Sequence, residues 1–305
     1  MTWYSSKVRY WPATAGFLSG MWCRLTGKDQ HARTVLRAYL PAGLLIFTTA
    51  AGFTAVGAAP PAMAASCPNG QTSWMTVHQQ SNVRGVLNSD NWGGGTVCVT
   101  NSGGTANFTA TKSAGSYTGG VLAYPDINVG CQGGYCTTSS ELPAAESSIT
   151  PEVTWSTNNP QNGSKFDTGI DSWFASSGSE GSRPKPTGEV MVVINSSSFT
   201  ALGLPQSGTR VSIDGYEWYV KYSPSGSRGW PYTQYALTQG RVVNRVSRLN
   251  MAKFYADAIS NGDLPAGQYL TDIGAGNEIW ADGVGLSTTN LLISGLKRQR
   301  AVGDQ

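Results

Sequence analysis

One stretch constrains this chain more than any other. Gly188-Glu189-Val190-Met191-Val192-Val193-Ile194-Asn195 alternates along its length. In a strand, Val190, Val192 and Ile194 share one face, and Glu189, Met191 and Val193 share the other. The first face is wholly aliphatic and belongs to a core. The second carries a carboxylate beside a thioether. A carboxylate on an otherwise apolar strand gives up hydration and needs compensation. For an arbitrary strand that compensation is an ion pair or an exposed edge. A second stretch changes the reading. Gly276-Asn277-Glu278-Ile279-Trp280-Ala281-Asp282-Gly283 also alternates, with Glu278 and Trp280 on one face and Ile279 on the other. Two strand-borne glutamates with such neighbours suggest paired catalytic carboxylates. Glycoside cleavage needs a pair of this kind: one attacks the sugar or activates water, the other protonates the leaving oxygen.

The rest of the chain reads as exported and all-β. Its 305 residues suffice for one large domain behind a leader. Charged residues are 13%, against 38 glycines, 10 tryptophans and 13 tyrosines. Few charges, many turn formers and many aromatics point to a secreted all-β protein that handles sugars, although aromatics alone more often belong to a core.

Residues 1–64 read as a signal peptide or leader. Lys7, Arg9, Arg24, Lys28, Arg33 and Arg37 precede an apolar run from Gly43 to about Ala59, and Ala62-Met63-Ala64 supplies small residues for cleavage after about Ala64. An uncleaved membrane anchor is the rival reading, because the run approaches the ~20 residues a bilayer span requires. Its many Gly, Ala and Thr residues favour cleavage. Translation from Met21 would shorten the long basic region. Removing residues 1–64 takes six of the 21 basic and one of the 18 acidic residues, so a net charge of +3 becomes −2. The basic balance is therefore an effect of the leader and gives no support to nucleic-acid binding. Secretion, no stable membrane association after processing, and a monomer are the expectations.

Cys67, Cys98, Cys131 and Cys136 remain, an even number that reads as two disulfides in an exported chain. Four cysteines allow three pairings. The short Cys131–Cys136 loop favours a local bridge, which leaves Cys67 with Cys98. Zinc fits poorly, because the processed chain has only His78 and no Cys-x-x-Cys.

Short alternating segments fill residues 65–296. Trp74–His78, Val83–Leu87, Thr96–Thr100, Ala106–Thr111, Val121–Tyr124, Ile149–Trp155 and Leu286–Ile293 are strand candidates. Arg210–Tyr222 reads as a hairpin turning on Asp214-Gly215. Tyr216, Trp218 and Val220 share one of its faces, with core packing as the default. Gly229-Trp230-Pro231-Tyr232 is a loop that could border a cleft. Leu249, Phe254, Ala258 and Ile259 predict one long helix from Val246 to Ile259, stopped by Asn261-Gly262. Residues 297–305 form a polar tail. Many short strands with one helix imply a two-sheet antiparallel sandwich.

Several of these segments resemble glycoside hydrolase family 12, the small endo-β-1,4-glucanases and xyloglucanases. Glu-Val-Met-Val from Glu189 and Asn-Glu-Ile-Trp from Asn277 are similar to its two signature strands. Ser89-Asp90-Asn91-Trp92-Gly93 is similar to its Asn-Asn-x-Trp-Gly segment, and Ile170-Asp171-Ser172-Trp173 to its Tyr-Asp-x-Trp strand. Tyr124-Pro125 through Gly130-Cys131 matches its Tyr-Pro-x-x-x-x-Gly-Cys. The resemblance runs from about Cys67 to about Ser294. It implies an all-β two-sheet antiparallel β-jelly roll sandwich with one helix and a concave substrate cleft. It also implies the Cys67–Cys98 and Cys131–Cys136 framework.

By the same resemblance Glu189 is the nucleophile, Glu278 the acid/base, and Asp171 the neighbour that assists the nucleophile. Asp90, Trp92, Met191 and Trp280 bind substrate. The expected activity is retaining hydrolysis of internal β-1,4 bonds in cellulose, mixed-linkage glucan or xyloglucan, with the carboxyl groups about 5–5.5 Å apart. No metal or organic cofactor is required. The chain departs from the family pattern at several positions, among them Ser89, which replaces one Asn of the Asn-Asn-x-Trp-Gly segment. Asp90 stands where the family has a sugar-binding Asn, and an ionised Asp accepts but cannot donate. Val193 stands where the family strand carries Trp, which removes apolar area near the cleft. A non-catalytic carbohydrate-binding jelly roll and a structural cell-envelope protein are the alternatives; neither needs both glutamates and Asp171.

Overall fold

The computed structural model describes residues 74–78, 84–101, 105–115, 120–137, 142–159, 163–179, 181, 183–224, 229–239 and 241–297. All lie in one unit, Ala58–Gln305. The leader, its cleavage site, Cys67 and most of the tail lie outside the described residues.

Sixteen strands and one α-helix follow in chain order. The first half comprises β1 (Trp74–His78), β2 (Arg84–Asn88), β3 (Thr96–Thr100), β4 (Phe108–Ala114), β5 (Asp126–Gln132), β6 (Tyr135–Cys136), β7 (Ala144–Ala145) and β8 (Glu152–Asn158). Then come β9 (Lys165–Ala175), β10 (Gly188–Ser196), β11 (Arg210–Ile213), β12 (Tyr216–Ser223), β13 (Tyr232–Leu237), β14 (Arg245–Asn250), α1 (Met251–Ser260), β15 (Tyr269–Ala281) and β16 (Ser287–Ser294). The large sheet runs β1-β2-β5-β15-β9-β10-β13-β12-β11, with β6 and β7 paired at its margin. The smaller sheet runs β14-β8-β16-β4-β3. Pairing is antiparallel as expected except between β10 and β13, which are parallel. The β11–β12 hairpin lies between them in sequence and carries the chain across.

The core lies where the alternation requires. Val190, Val192 and Ile194 are fully buried, together with Ile127, Ile170, Trp218, Tyr235 and Ala275 from neighbouring strands. Trp155, Val153 and Ile293 of the smaller sheet belong to the same cluster. Each such large side chain contributes roughly 1.5–3 kcal/mol relative to exposure. Of the hairpin face, Trp218 and Val220 are core and Tyr216 packs against it. Asp214 (φ 51°) and Gly215 (φ 79°) make the primed turn that this twist favours.

The helix is shorter than expected. Val246 and Leu249 are buried, but from strand β14, which pairs with β8. A register shift between them, with Arg248 at φ 54°, puts both on the core side despite their spacing of three. The helix starts only at Met251 and buries Met251, Phe254, Tyr255 and Ala258. It ends at the expected Asn261-Gly262, with Gly262 at φ 77°. Phe254 packs edge-on against Trp218 and Tyr235, and Tyr255 against Phe174. The Tyr255 hydroxyl also bonds Ser172 Oγ at 2.9 Å, which steadies β9 directly behind Asp171. Likewise, Val121–Tyr124 is not a strand; Ala123 makes a single bridge to Ile279, and the strand proper begins at Asp126.

Cys131 and Cys136 form the expected local disulfide. Cys98 is disulfide-bonded, and Cys67, its expected partner, lies outside the described residues. Among the described residues no helix is long and apolar enough to cross a membrane.

Candidate active site

Alternation sends the other face of β9, β10, β13 and β15 away from the core. The registers set Glu189 beside Trp173 and Tyr232, Met191 beside Asp171 and Gln234, and Glu278 beside Asp167. A cavity of about 680 Å³ opens on this face, within the range of small-molecule and sugar sites. Asp171, Glu189 and Glu278 line it together, from three consecutive strands. Trp92, Tyr124, Trp173, Trp230 and Trp280 supply aromatic surface, and Lys221 and Gln234 extend the lining onto β12 and β13.

Glu189 is 5% exposed. Its carboxylate Oε2 accepts the indole N–H of Trp230 at 2.8 Å. Trp230 in turn meets Trp173 edge-on, with ring centroids 5.5 Å apart. Asp171 lies between the glutamates at the floor of the cleft. Burial pushes its carboxyl well above the usual range, and Glu189 and then Glu278 push it further. The Trp173 indole pulls weakly the other way, though its N–H falls short of hydrogen-bond geometry.

Asp167 is fully buried behind Glu278. Burial raises its pKa most, followed by the charge of Glu278 beside it. Two carboxyls this close disfavour both being ionised at once. A second acidic group lies toward β2 and β5. Asp126 and Asp272 are almost fully buried, and burial pushes both well up, with Asp90 adding to each. Gly274 and Gly276 leave the room that the Asp126 side chain occupies. A Cβ on Gly276 would lie 2.2 Å from the Pro125 carbonyl oxygen and 2.6 Å from Asp126 Cβ.

No protein-family model matches the sequence, and no curated protein does. Solved structures do match. A metagenome-derived glycoside hydrolase family 12 endoglucanase is similar at TM-score 0.67 and 25% identity, over 77% of this chain and 98% of its own. Endoglucanase Cel12A from Rhodothermus marinus is similar at 0.66 and 24%, over 77% and 100%. A family 12 xyloglucanase from Bacillus licheniformis gives 0.57 and 19%, over 76% and 100%. This chain has the glycoside hydrolase family 12 fold.

On that family 12 fold, Asp90, Trp92, Asp171, Glu189, Glu278 and Trp280 come together around one cavity. Trp92, which alone reads as a core aromatic, is 62% exposed at the cleft. Asp90 has φ 33°, a backbone conformation that Asn and Asp tolerate best. Burial pushes its carboxyl up to about 7.

Met191 is placed differently from the expectation. It is 3% exposed and lies beneath the floor, where its sulfur accepts from the Tyr232 hydroxyl at 3.2 Å. Tyr232, not Met191, lines the cleft. Val193 is fully buried as well. Residues 197–206 fold over it, packing Phe199 and Leu204 against Met191, Val193 and Ala236. Leu202, Gly203 and Leu204 then form part of the cleft wall. Apolar surface at this position is thus supplied by the loop that directly follows β10.

Sequence reasoning missed Asp167, Asp126, Asp272 and the bond made by Trp230. Asp167 and Asp272 do alternate with Asp171 and Glu278 on their strands, which was the available signal. Trp230 offered none, because its loop meets Glu189 only through the β10–β13 pairing. Among the described residues no cluster of three or more His, Cys, Asp or Glu is arranged to hold a metal ion.

Proposed function

We propose that this protein is a retaining glycoside hydrolase that cleaves internal β-1,4 bonds of cellulose-like glucans. The observation that carries this reading is the opening of Glu189 and Glu278 onto one aromatic-walled cleft, with the half-buried Asp171 between them. Similarity to structures titled endoglucanase and xyloglucanase supports the same chemistry. Lining residues on five adjacent strands favour a groove that takes a polymer mid-chain.

In the first step a Glu189 oxygen attacks the anomeric carbon while the glycosidic C–O bond breaks. Glu278 gives its proton to the departing oxygen, and a glycosyl-enzyme ester remains. In the second step Glu278 takes a proton from water, the water oxygen attacks the same carbon, and Glu189 leaves as carboxylate. Asp167 stands directly across from Glu278, and a neighbouring carboxyl favours the protonated form that the acid role requires. Asp171, whose carboxyl is pushed upward by burial and by both glutamates, is the neighbour that assists Glu189.

The test is reducing-sugar release from soluble β-glucans by purified residues 65–305, with proton NMR of the first-formed anomer. Retention yields the β-anomer first. Absence of hydrolysis on cellulose derivatives, mixed-linkage glucan and xyloglucan alike would leave a binding module instead. Export is part of the proposal: the order of basic residues, apolar run and Ala62-Met63-Ala64 supports a secreted, processed protein.

A further inference from the structure

We propose that Trp230 is a positioning residue for the nucleophile: its indole N–H orients the Glu189 carboxylate and favours its ionised form. The catalytic meaning rests on the function proposed above, while the hydrogen bond does not. Trp230 Nε1 lies 2.8 Å from Glu189 Oε2. Several constraints hold it there. The backbone N–H of Glu189 donates to the Pro231 carbonyl at 3.0 Å, locking the Trp230 segment to β10. Tyr232, one residue further on, is the register partner of Glu189. The Trp230 ring abuts Trp173, the partner of Glu189 on its other side.

The site needs such a donor. Asp171 from β9 and Glu278 from β15 face the same cavity as Glu189, with Tyr232 from β13 and the exposed Lys221 from β12. Buried carboxyls crowded together favour protonation. A nucleophile must instead be ionised when substrate arrives. An N–H donated to the carboxylate favours the charged form, and an indole supplies it without a charge or a titration of its own. The same bond favours the carboxylate as leaving group when water releases the sugar.

The experiment titrates the glutamate side-chain carboxyls by carbon-13 NMR, with Glu189→Gln assigning the Glu189 signal. In Trp230→Phe, which keeps an aromatic ring against Trp173, the Glu189 signal should titrate about one pH unit higher than in the wild type. The acidic limb of kcat/KM on soluble β-glucan should move with it. Turnover should fall about tenfold, less than for a donor used only in the transition state, because this bond already exists in the free enzyme. KM should change little. In the wild type, the Trp230 indole proton resonance should itself shift with the Glu189 titration, a readout that needs no folded variant. An unchanged Glu189 titration, an indole signal indifferent to it, or a raised KM with unaltered pH limbs would overturn the proposal. A shifted titration in a protein that cleaves no β-glucan would sustain the hydrogen bond and sink the functional reading.

Discussion

Glu278 and Asp167 are direct cross-strand partners on β15 and β9, and Asp167 has no solvent exposure. A buried carboxyl beside the proposed acid/base residue has one evident consequence: it disfavours ionisation of its neighbour. Asp167→Asn replaces that partner with a permanent amide donor, which favours ionised Glu278. The alkaline limb of the pH–rate profile should then fall by about one pH unit. Activity at pH 7 should drop roughly tenfold. A pH–rate profile on soluble glucan, with Tm measured alongside, checks this.

The two glutamates should fail differently. Glu189→Gln should abolish turnover, because an amide cannot form the glycosyl-enzyme. Glu278→Gln should be slow on natural glucan but recover partly on an activated aryl glycoside with added azide, giving a β-glycosyl azide. Rescue of Glu189→Gln with an α-azide product would exchange the two roles.

Asp90 should make stability depend on pH. Burial raises its carboxyl from 3.8 to about 7. A group raised in the folded state adds stability that is full below its unfolded pKa and is lost as pH climbs through the folded value. Stability from Asp90 should therefore decline between about pH 4 and pH 7, by on the order of 4 kcal/mol at most. Asp90→Asn keeps the positive-φ backbone and removes the charge. It should raise Tm at pH 8 relative to the wild type and change it little at pH 4. Thermal melts at the two values decide it.

Gly276→Ala should cost about 3 kcal/mol or more, because the added methyl meets the Pro125 carbonyl and the Asp126 side chain. That corresponds to a Tm lower by roughly 6–12 °C for a domain of this size. Gly203→Ala serves as a control, since nothing lies within 4 Å of its Cβ position; its φ of 72° alone should cost about 1 kcal/mol.

Cys67 should pair with Cys98, and the processed chain should begin near Ala65. Non-reducing peptide mapping and intact mass of the secreted protein check both. A free Cys67 thiol, or full-length protein held in membranes, would contradict them.

Local pattern carried much of this molecule. Strict alternation around Glu189 and Glu278 was enough to assign their faces, because the strand period of two leaves no other choice once one face is aliphatic. The Asp214-Gly215 turn and the Asn261-Gly262 stop were legible for the same reason, since they depend on backbone preferences of one or two residues. The β14 strand was not: Val246 and Leu249 have helical spacing, and only pairing with β8 and a bulge at Arg248 makes them strand residues. Tertiary structure alone decided what stands against the two glutamates. Trp230 reaches Glu189 from 41 residues away, and Asp167 faces Glu278 across 111 positions, through strand pairings that no local sequence encodes. It also moved Met191 below the cleft floor and laid residues 197–206 over Val193. Whether a side chain faces water or a covering loop depends on how the chain folds back over it, and burial in turn shifts each carboxyl's hold on its proton.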